Sequence, residues 1–251
     1  MDASYGLQYR DLHARHWWWR ARERLILDTL KRLPLRSGSA ALDVGCGDGL
    51  LFPALQRLGC FRDIRGIEVD ESLLSPDGPH RDRISTAPLG DPVYGDASAD
   101  VVTALDVIEH IEDDAAAVAE IFKMMAPGAH LVVTVPAFMS LWSHHDEINL
   151  HFRRYTAQQL EALLRPHGEI VDVRYLFHSL YIPKRLIAAV EHWGKSDSED
   201  PATPGGPTAT QHALPPRGVN LGMREFCYWE SRLLRPVRLP FGTSVIGIVR
   251  S

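Results

Sequence analysis

Residues 40–51 read AALDVGCGDGLL, and this order of residues predicts how the central part of the chain folds. The first five residues are apolar except for Asp43, as expected for a short strand buried on both faces of a parallel sheet. Gly45, Gly47 and Gly49 then alternate, and an apolar helical pattern follows at once. Glycine accepts positive φ angles and lets a ligand approach the backbone, while a helix start offers unpaired N–H groups. The stretch therefore predicts a strand, a tight turn and a helix that bind a nucleotide-like ligand.

The composition is typical of one globular α/β domain. The chain has 251 residues, of which 45% are hydrophobic and 24% are charged. Its net charge of −5 argues against a general affinity for nucleic acid, because phosphates require clustered Lys and Arg. Cys46, Cys60 and Cys227 are widely spaced and odd in number, so we expect a cytoplasmic protein without a disulfide framework or zinc site. Neither a signal peptide nor a transmembrane segment is predicted.

The glycine pattern distinguishes between two classes of cofactor. A dinucleotide-binding loop has the pattern G-x-G-x-x-G, which would require glycine where this chain has Leu50. The pattern here is G-x-G-x-G with Asp43 two residues ahead of it, which resembles motif I of the class I S-adenosylmethionine-dependent methyltransferases. Residues 99–136 resemble the same family: a buried strand, the sequence DVIEH at 106–110, an acidic helix, a Pro-Gly turn and another strand. The resemblance covers residues 16–176.

The resemblance implies a doubly wound α/β fold with a mostly parallel, seven-stranded sheet, the Rossmann-like methyltransferase fold. Residues 1–36 are expected to form an N-terminal helical lid, and residues 37–176 the core that binds S-adenosylmethionine. Residues 177–251 are expected to form a helical cap inserted before a final strand at 244–250. The polar, proline-rich stretch at 194–218 within this cap is predicted to be a disordered linker.

The resemblance also implies S-adenosyl-L-methionine as the cofactor. Glu68 ends the second predicted strand and follows Gly45 by roughly 20 residues, the spacing at which a carboxylate binds ribose hydroxyls. The Asp that the family usually places near the adenine is missing after the third strand, where residues 85–89 read STAPL. The cofactor contacts expected on these grounds are Asp43, Gly45, Cys46, Gly47, Gly49, Glu68, Val69, Leu89, Leu105, Asp106, His110, Trp18 and Arg20.

Three consecutive tryptophans, at residues 17–19, precede an amphipathic helical pattern. They cannot share one helical face, because 3.6 residues per turn spreads three neighbours over about 200°. At least one of them is therefore expected to contact something other than the core. In the resembling family a helix of this kind lies over the cofactor cleft, and Arg20 or Arg22 would meet the methionine carboxylate there.

The acceptor is expected to bind at residues 137–155, because loops at the carboxyl ends of parallel strands line the crevice of such a sheet. Two compatible hypotheses describe the function of this loop. In the first, His144 or His145 beside Asp146 is a general base. In the second, Arg153 and Arg154 bind an anionic group of the substrate. The residues assigned to the substrate are Phe138, Trp142, His151, Arg153, Arg154 and Tyr155.

Two other interpretations of this loop remain open. A metal site formed by His144, His145, Asp146 and His151 is disfavoured by the irregular spacing of its ligands, so no metal is assigned. The charged residues could also form a purely structural, salt-bridged loop.

The sequence thus favours an enzyme that transfers a methyl group from S-adenosylmethionine to an oxygen of a small molecule. One alternative is a lipid-like acceptor, with the C-terminal helices touching a membrane through apolar and basic side chains. A nicotinamide-dependent oxidoreductase is disfavoured by Leu50, and a non-catalytic cofactor-binding subunit by the histidine-rich loop. Neither the identity of the acceptor nor the oligomeric state is predicted.

Overall fold

The structure is a computed structural model that describes residues 10–94, 98–194 and 214–251, without the side chains of residues 192–194. Most of the predicted linker at 194–218 lies outside the described residues. Its last two positions are helical, because a helix begins at Arg217. At that end the prediction of disorder is wrong.

Seven strands form one sheet in the order β3-β2-β1-β4-β5-β7-β6. Neighbours among the first five strands pair in parallel, whereas β7 is antiparallel to both β5 and β6. This confirms the predicted fold class. The strands are β1 (Ser39–Val44), β2 (Phe61–Ile67), β3 (Ile84–Ser85), β4 (Ala99–Leu105), β5 (Met125–Pro136), β6 (Glu169–Leu176) and β7 (Ser244–Arg250).

The strand order places a crevice at the centre of the sheet. From β1 the chain adds β2 and β3 on one side and then crosses to add β4 and β5 on the other. Ligands of such sheets bind outside the carboxyl ends of the strands where the order reverses. Here these are the ends of β1 and β4, which run side by side with Asp43 opposite Thr103.

The helices pack on both faces of the sheet. The helices are α1 (Trp17–Leu30), α2 (Phe52–Gln56), α3 (Asp114–Lys123), α4 (His144–Ile148), α5 (Ala157–Leu164), α6 (Tyr181–Gly194) and α7 (Arg217–Leu233). Successive strand residues belong to different cores because side chains alternate along a strand. Val101 packs with α1, α2 and α7, whereas the adjacent Val102 packs with α3 and α5.

The connection between β6 and β7 carries the C-terminal helices. α7 packs against α1, where Tyr228 and Arg232 both donate hydrogen bonds to Asp28. Arg24 lies 3.7 Å from the centre of the Tyr228 ring. The predicted cap and the predicted N-terminal lid are therefore in contact. No helix in the described ranges has the length and apolar character needed to cross a bilayer.

Candidate cofactor and acceptor site

A cavity of about 670 Å³ lies at the carboxyl ends of the central strands. At one end it is lined by the glycine loop after β1 and by Glu68 after β2. At the other end it is lined by α4, the residues that follow α4, one residue of α6 and the start of β7. A volume of this size is ordinary for a site that holds small ligands. The cavity thus joins the region predicted for the cofactor to the region predicted for the acceptor.

The glycine loop adopts the backbone that its sequence predicts. Gly45, Gly47 and Gly49 have φ angles of 68°, 50° and 71°. A Cβ atom at Gly45 would lie 2.4 Å from a methyl carbon of Val107, so this position has no room for a side chain. A Cβ at Gly47 would meet no atom within 4 Å, because the residue borders the cavity. A ligand can therefore approach the backbone of Gly47 closely.

Glu68 lies immediately beyond β2, and its side chain lines the cavity. One carboxylate oxygen accepts from the Gly47 N–H and the other from the Asp70 N–H, each at 3.0 Å. Burial raises the pKa of Glu68, and the two backbone hydrogen bonds offset part of this effect. The Asp70 carboxylate accepts from the Ser72 N–H and so caps the turn at Glu71–Leu73. The hydrogen bond between Glu68 and Gly47 joins the two motifs that the sequence assigned to the cofactor.

Asp43 and Cys46 lie behind the loop rather than on the main cavity. Both line a smaller cavity of about 60 Å³ beneath α1. The Thr103 hydroxyl donates to Asp43 at 2.6 Å, and burial raises the pKa of this carboxyl to about 7. The Cys46 thiol donates to the carbonyl of Gly47, and burial raises the pKa of that thiol. We infer that these two side chains support the loop instead of touching a ligand in the main cavity.

Arg22 of α1 reaches across to the end of β4. Its guanidinium lies 2.8 Å from the Asp106 carboxylate, which also accepts from the Thr134 hydroxyl at 3.0 Å. Asp106 has a φ of 57°, a strained value for this residue type and one that tends to occur at functional sites. Arg22 lies 5.0 Å from the ring of Trp18, and both side chains line the cavity. Arg20 pairs with Glu23 at 2.7 Å and lies outside the cavity lining, so the assignment of Arg20 to the cofactor is corrected to Arg22.

Val69, Leu89, Leu105 and His110 all line the cavity, as expected from the sequence. Leu89 borders it from the segment that lacks the usual adenine-binding Asp. In that segment the Tyr94 hydroxyl donates to the carbonyl of Ala87. The cavity is also lined by Glu120, whose carboxylate lies beside Gly90, so this wall offers both an apolar side chain and a carboxylate.

The acceptor loop is organised around Asp146, whose side chain is completely buried. It accepts from the Nε and Nη2 atoms of Arg154 at 2.8 and 2.9 Å, and its Oδ1 lies 2.8 Å from the Nδ1 of His151. Burial alone would raise the pKa of Asp146, but the hydrogen bonds from His151 and Arg154 outweigh burial and lower it. Asp146 is thus a fixed anion that holds other side chains. It does not line the cavity, so its direct role in catalysis is not retained.

The two histidines predicted as bases have different surroundings. His145 lines the cavity together with Asn149 and His151. His144 is exposed, lies 3.1 Å from the Glu147 carboxylate and is absent from the cavity lining. The adjacent positions point in different directions because they are the first two residues of α4. His144 is therefore not retained as a candidate base.

Several residues assigned to the substrate have internal partners instead. Arg153 lies 2.8 Å from the Asp114 carboxylate, which also accepts from the Tyr155 hydroxyl at 2.7 Å. The ring of Phe138 stacks on Tyr175, with centroids 4.9 Å apart. Neither these side chains nor that of Trp142 lines the cavity, whereas those of His151 and Arg154 do. The structure therefore corrects the assignment for Arg153, Tyr155, Phe138 and Trp142.

The cavity residues that the sequence did not single out as parts of the site include Glu109, Lys184 and Thr243. Glu109 is fully buried, and neither of its carboxylate oxygens has a hydrogen-bond partner within the described part of the chain. Burial, together with the charge of Asp106, raises its pKa well above the ordinary value. Glu109 belongs to the DVIEH block, from which the sequence assigned Asp106 and His110 to the site but not Glu109.

Glu109, His110 and His151 each offer a ligand atom, and these atoms lie within 4.8 Å of one another. The rings of His110 and His151 are 4.5 Å apart at an angle of 83°. Burial and the neighbouring His151 lower the pKa of His110. Two imidazoles and a carboxylate are a set that could hold a divalent cation. This set shares only His151 with the metal site considered from the sequence.

A family model described as a methyltransferase domain matches residues 18–169, which is more than half of the chain. The chain belongs to the methyltransferase family. The match includes the glycine loop, Glu68 and the whole acceptor loop. Class I members that depend on S-adenosylmethionine share the seven-stranded sheet described above, and the predicted family is confirmed.

Relatives with known names support the same assignment. A Mycolicibacterium smegmatis protein named "Probable S-adenosylmethionine-dependent methyltransferase" is 30% identical over 147 residues, covering 57% of this chain and 56% of that protein. A ubiquinone biosynthesis O-methyltransferase of Methylococcus capsulatus is 33% identical over 133 residues, covering 46% of this chain and 54% of that protein. This methyltransferase chain therefore spans about half the length of these two relatives.

A solved structure also shares the fold. It is described as an S-adenosylmethionine-dependent methyltransferase from Archaeoglobus fulgidus, with 17% identity, a TM-score of 0.50 and coverage of 91% of this chain and 94% of that chain. The methyltransferase cofactor fits this chain on structural grounds. Gly47 leaves room for a ligand at its backbone, the Glu68 carboxylate lies beside it, and both border the large cavity.

Proposed function

We propose that this methyltransferase transfers a methyl group from S-adenosylmethionine to an oxygen atom of a small-molecule acceptor. The cavity supports this proposal because it runs without interruption from the glycine loop to the histidine-containing end. The relative named as a ubiquinone biosynthesis O-methyltransferase supports oxygen as the methylated atom.

The cofactor would be held by the glycine loop and Glu68, with Arg22 facing the other side of the cleft. When bound, S-adenosylmethionine supplies an activated methyl group on a positively charged sulfur. Glu68 would bind the ribose hydroxyls, since a carboxylate can accept two coplanar hydrogen bonds. Arg22 carries a buried Nε that has no partner among the described residues, and a carboxylate could satisfy it. Trp18 covers this arginine and would help to exclude water from the cleft.

We assign the general base to His151, and one observation carries this assignment. The Nδ1 atom of His151 lies 2.8 Å from the fully buried carboxylate of Asp146, while the ring lines the cavity. A carboxylate at Nδ1 fixes the tautomer and leaves the opposite nitrogen, Nε2, able to accept a proton. His151 would take the proton from an acceptor hydroxyl, and Asp146 would orient the ring. His145 lines the same end and would contact the acceptor.

The cluster of Glu109, His110 and His151 supports a second form of this function. A divalent cation bound by these residues would polarise the acceptor hydroxyl and lower its pKa. It would also give a partner to the buried Glu109 carboxylate. Dialysis against a chelator distinguishes the two forms: it should remove activity if a cation is required and leave activity unchanged if His151 acts as the base without a metal.

The lipid-like acceptor remains the second candidate, and α6 supports it. Ile182, Leu186 and Val190 follow one another at four-residue intervals on this helix, and their side chains are more than half exposed. Lys184 of the same helix reaches the cavity. An acceptor delivered from a membrane surface could therefore enter beside α6.

The three free cysteines fit a reducing compartment such as the cytoplasm.

A methyl-transfer assay with His151→Gln and His144→Gln tests the proposal. Glutamine can donate to Asp146 but cannot act as a base, so His151→Gln should lower kcat by about 10²–10⁴. S-adenosylhomocysteine affinity should stay unchanged, and His144→Gln should behave like the wild type because its side chain lies outside the cavity. Equal, small effects of both changes would exclude His151 as the base. Loss of wild-type activity on chelation, with recovery on adding zinc or magnesium, would favour the metal-assisted form.

A further inference from the structure

At the acceptor end of the cavity, both arginines predicted to bind an anion are already paired with acidic side chains. Arg154 donates two hydrogen bonds to Asp146 and a third, at 3.1 Å, to the carbonyl of Ala137. Arg153 is held by Asp114 outside the cavity lining. The charge of each guanidinium is therefore already paired with a carboxylate inside the protein.

Lys184 is the cation at this end that has no such pair. It belongs to the first turn of α6, and its side chain lines the cavity. Its ammonium group makes no hydrogen bond or ion pair with any residue that the structure describes. The residue is solvent-exposed, and its side chain borders the cavity. Burial there and the nearby charge of Arg154 lower the pKa of Lys184 to about 8, so it is still mostly protonated at neutral pH.

Thr243 adds an independent polar group to the same wall. It immediately precedes β7, its side chain is only 3% exposed, and its hydroxyl has no hydrogen-bond partner among the described residues. A buried hydroxyl without a partner is unfavourable unless a ligand or water satisfies it. Thr243 lies two residues beyond Phe241, and Lys184 lies three residues beyond Tyr181. The ring centroids of Phe241 and Tyr181 are 5.6 Å apart. The two polar groups thus border the cavity from neighbouring segments.

The acids close to Lys184 are engaged elsewhere. Asp146 is neutralised by Arg154, and Asp106 by Arg22. The acids whose charges act on Lys184 thus already have cationic partners, so its own charge is available to an anionic ligand in the cavity.

We propose that the acceptor carries an acidic group, a carboxylate or a phosphate, which is bound by the Lys184 ammonium and the Thr243 hydroxyl. This inference deepens the proposed function and rests on it: the acidic group would anchor the acceptor at the wall formed by α6 and β7. The hydroxyl to be methylated would then lie on the side of His151. Neutral analogues of the same size would lack this anchor.

Calorimetric titration of the protein loaded with S-adenosylhomocysteine tests the inference. Benzoate and phenyl phosphate serve as anionic probes with an apolar body, and benzamide serves as the neutral isostere. Lys184→Met removes the charge and keeps most of the stem, Lys184→Arg keeps the charge, and Thr243→Val removes the hydroxyl at similar size. Arg185→Met is the matched control, because Arg185 is exposed on the same helix and bonds to the Tyr181 hydroxyl.

We expect saturable binding of at least one anion to the wild type and weaker binding of benzamide. Lys184→Met should lose about tenfold or more in affinity for the anion, whereas Lys184→Arg should retain most of it. Thr243→Val should lose a smaller factor, and Arg185→Met should bind like the wild type. A preference for benzoate over phenyl phosphate, or the reverse, identifies which acidic group fits.

Two results would overturn the inference: no binding of either anion to the wild type, or anion affinity within twofold of wild type in Lys184→Met. Because every titration uses protein already loaded with S-adenosylhomocysteine, either result leaves the proposed cofactor intact. Failure to load S-adenosylhomocysteine at all would instead count against the proposed function.

Discussion

Asp146→Asn is the substitution that best separates a structural from a chemical role for the acceptor loop. The wild-type carboxylate is 0% exposed and receives two hydrogen bonds from Arg154, itself only 5% exposed. The asparagine has nearly the same shape but no charge, so Arg154 would become a buried cation without a counterion. Breaking a buried pair in this way costs about 3–5 kcal/mol of folding free energy.

The pH dependence of this loss follows from the lowered pKa of Asp146. A carboxyl whose pKa is lower in the folded state than its unfolded value of 3.8 stabilises the fold above that value. The stabilisation is lost as the pH falls toward the folded pKa. The difference in stability between wild type and Asp146→Asn should therefore be full at pH 7 and shrink below about pH 4.

Urea unfolding of the cofactor-free protein, followed by circular dichroism, measures this difference. Glu147→Gln is the control, because Glu147 is exposed on the same helix, and it should change the stability by less than about 0.5 kcal/mol. Arg154→Met combined with Asp146→Asn should be less destabilising than the sum of the single changes, since it removes both charges. The reasoning is refuted if Asp146→Asn unfolds like the wild type at pH 7.

Two further predictions concern the glycine loop and its support. In the wild type, the Asp43 carboxyl has a pKa of about 7 in the folded state and 3.8 in the unfolded state. The wild type should therefore lose about 2–4 kcal/mol of unfolding free energy as the pH rises between these values. Asp43→Asn removes the titrating group and should flatten this pH dependence. Equal slopes of unfolding free energy against pH in both proteins would contradict this. Gly47→Val should abolish S-adenosylhomocysteine binding, because its side chain would enter the cavity at a φ of 50°. Gly38→Val, at a φ of 85° and outside the cavity lining, is the control and should still bind.

The parts of the site that the sequence predicted are those fixed by local backbone geometry. The turn at Gly45, Gly47 and Gly49 requires positive φ angles, so glycine at these positions predicts the turn. Glu68 was recognisable because the length of one strand-helix-strand unit sets its distance from that turn. The fold class was predicted from the resemblance that the glycine loop and residues 99–136 carry, and the observed sheet confirms it.

The acceptor end was less predictable, because side-chain pairing there depends on tertiary structure. Residues 144–154 contain several acids and bases, and nothing in their spacing shows that Asp146 binds His151 and Arg154. Lys184 was not assigned to the site from the sequence, since helical periodicity does not tell which residue faces a distant cavity.

The central claim, that the glycine loop and Glu68 bind S-adenosylmethionine, is tested most directly by calorimetric titration with S-adenosylhomocysteine and, separately, with NAD. We predict that the wild type binds S-adenosylhomocysteine and not NAD. Glu68→Ala should weaken this binding by about ten- to several-hundred-fold, because it removes charge-assisted hydrogen bonds worth about 1.5–3 kcal/mol each. Asp63→Ala, at a partly exposed position of β2 outside the cavity lining, should bind like the wild type. Wild-type affinity for S-adenosylhomocysteine in Glu68→Ala, or preferential binding of NAD, would contradict the claim.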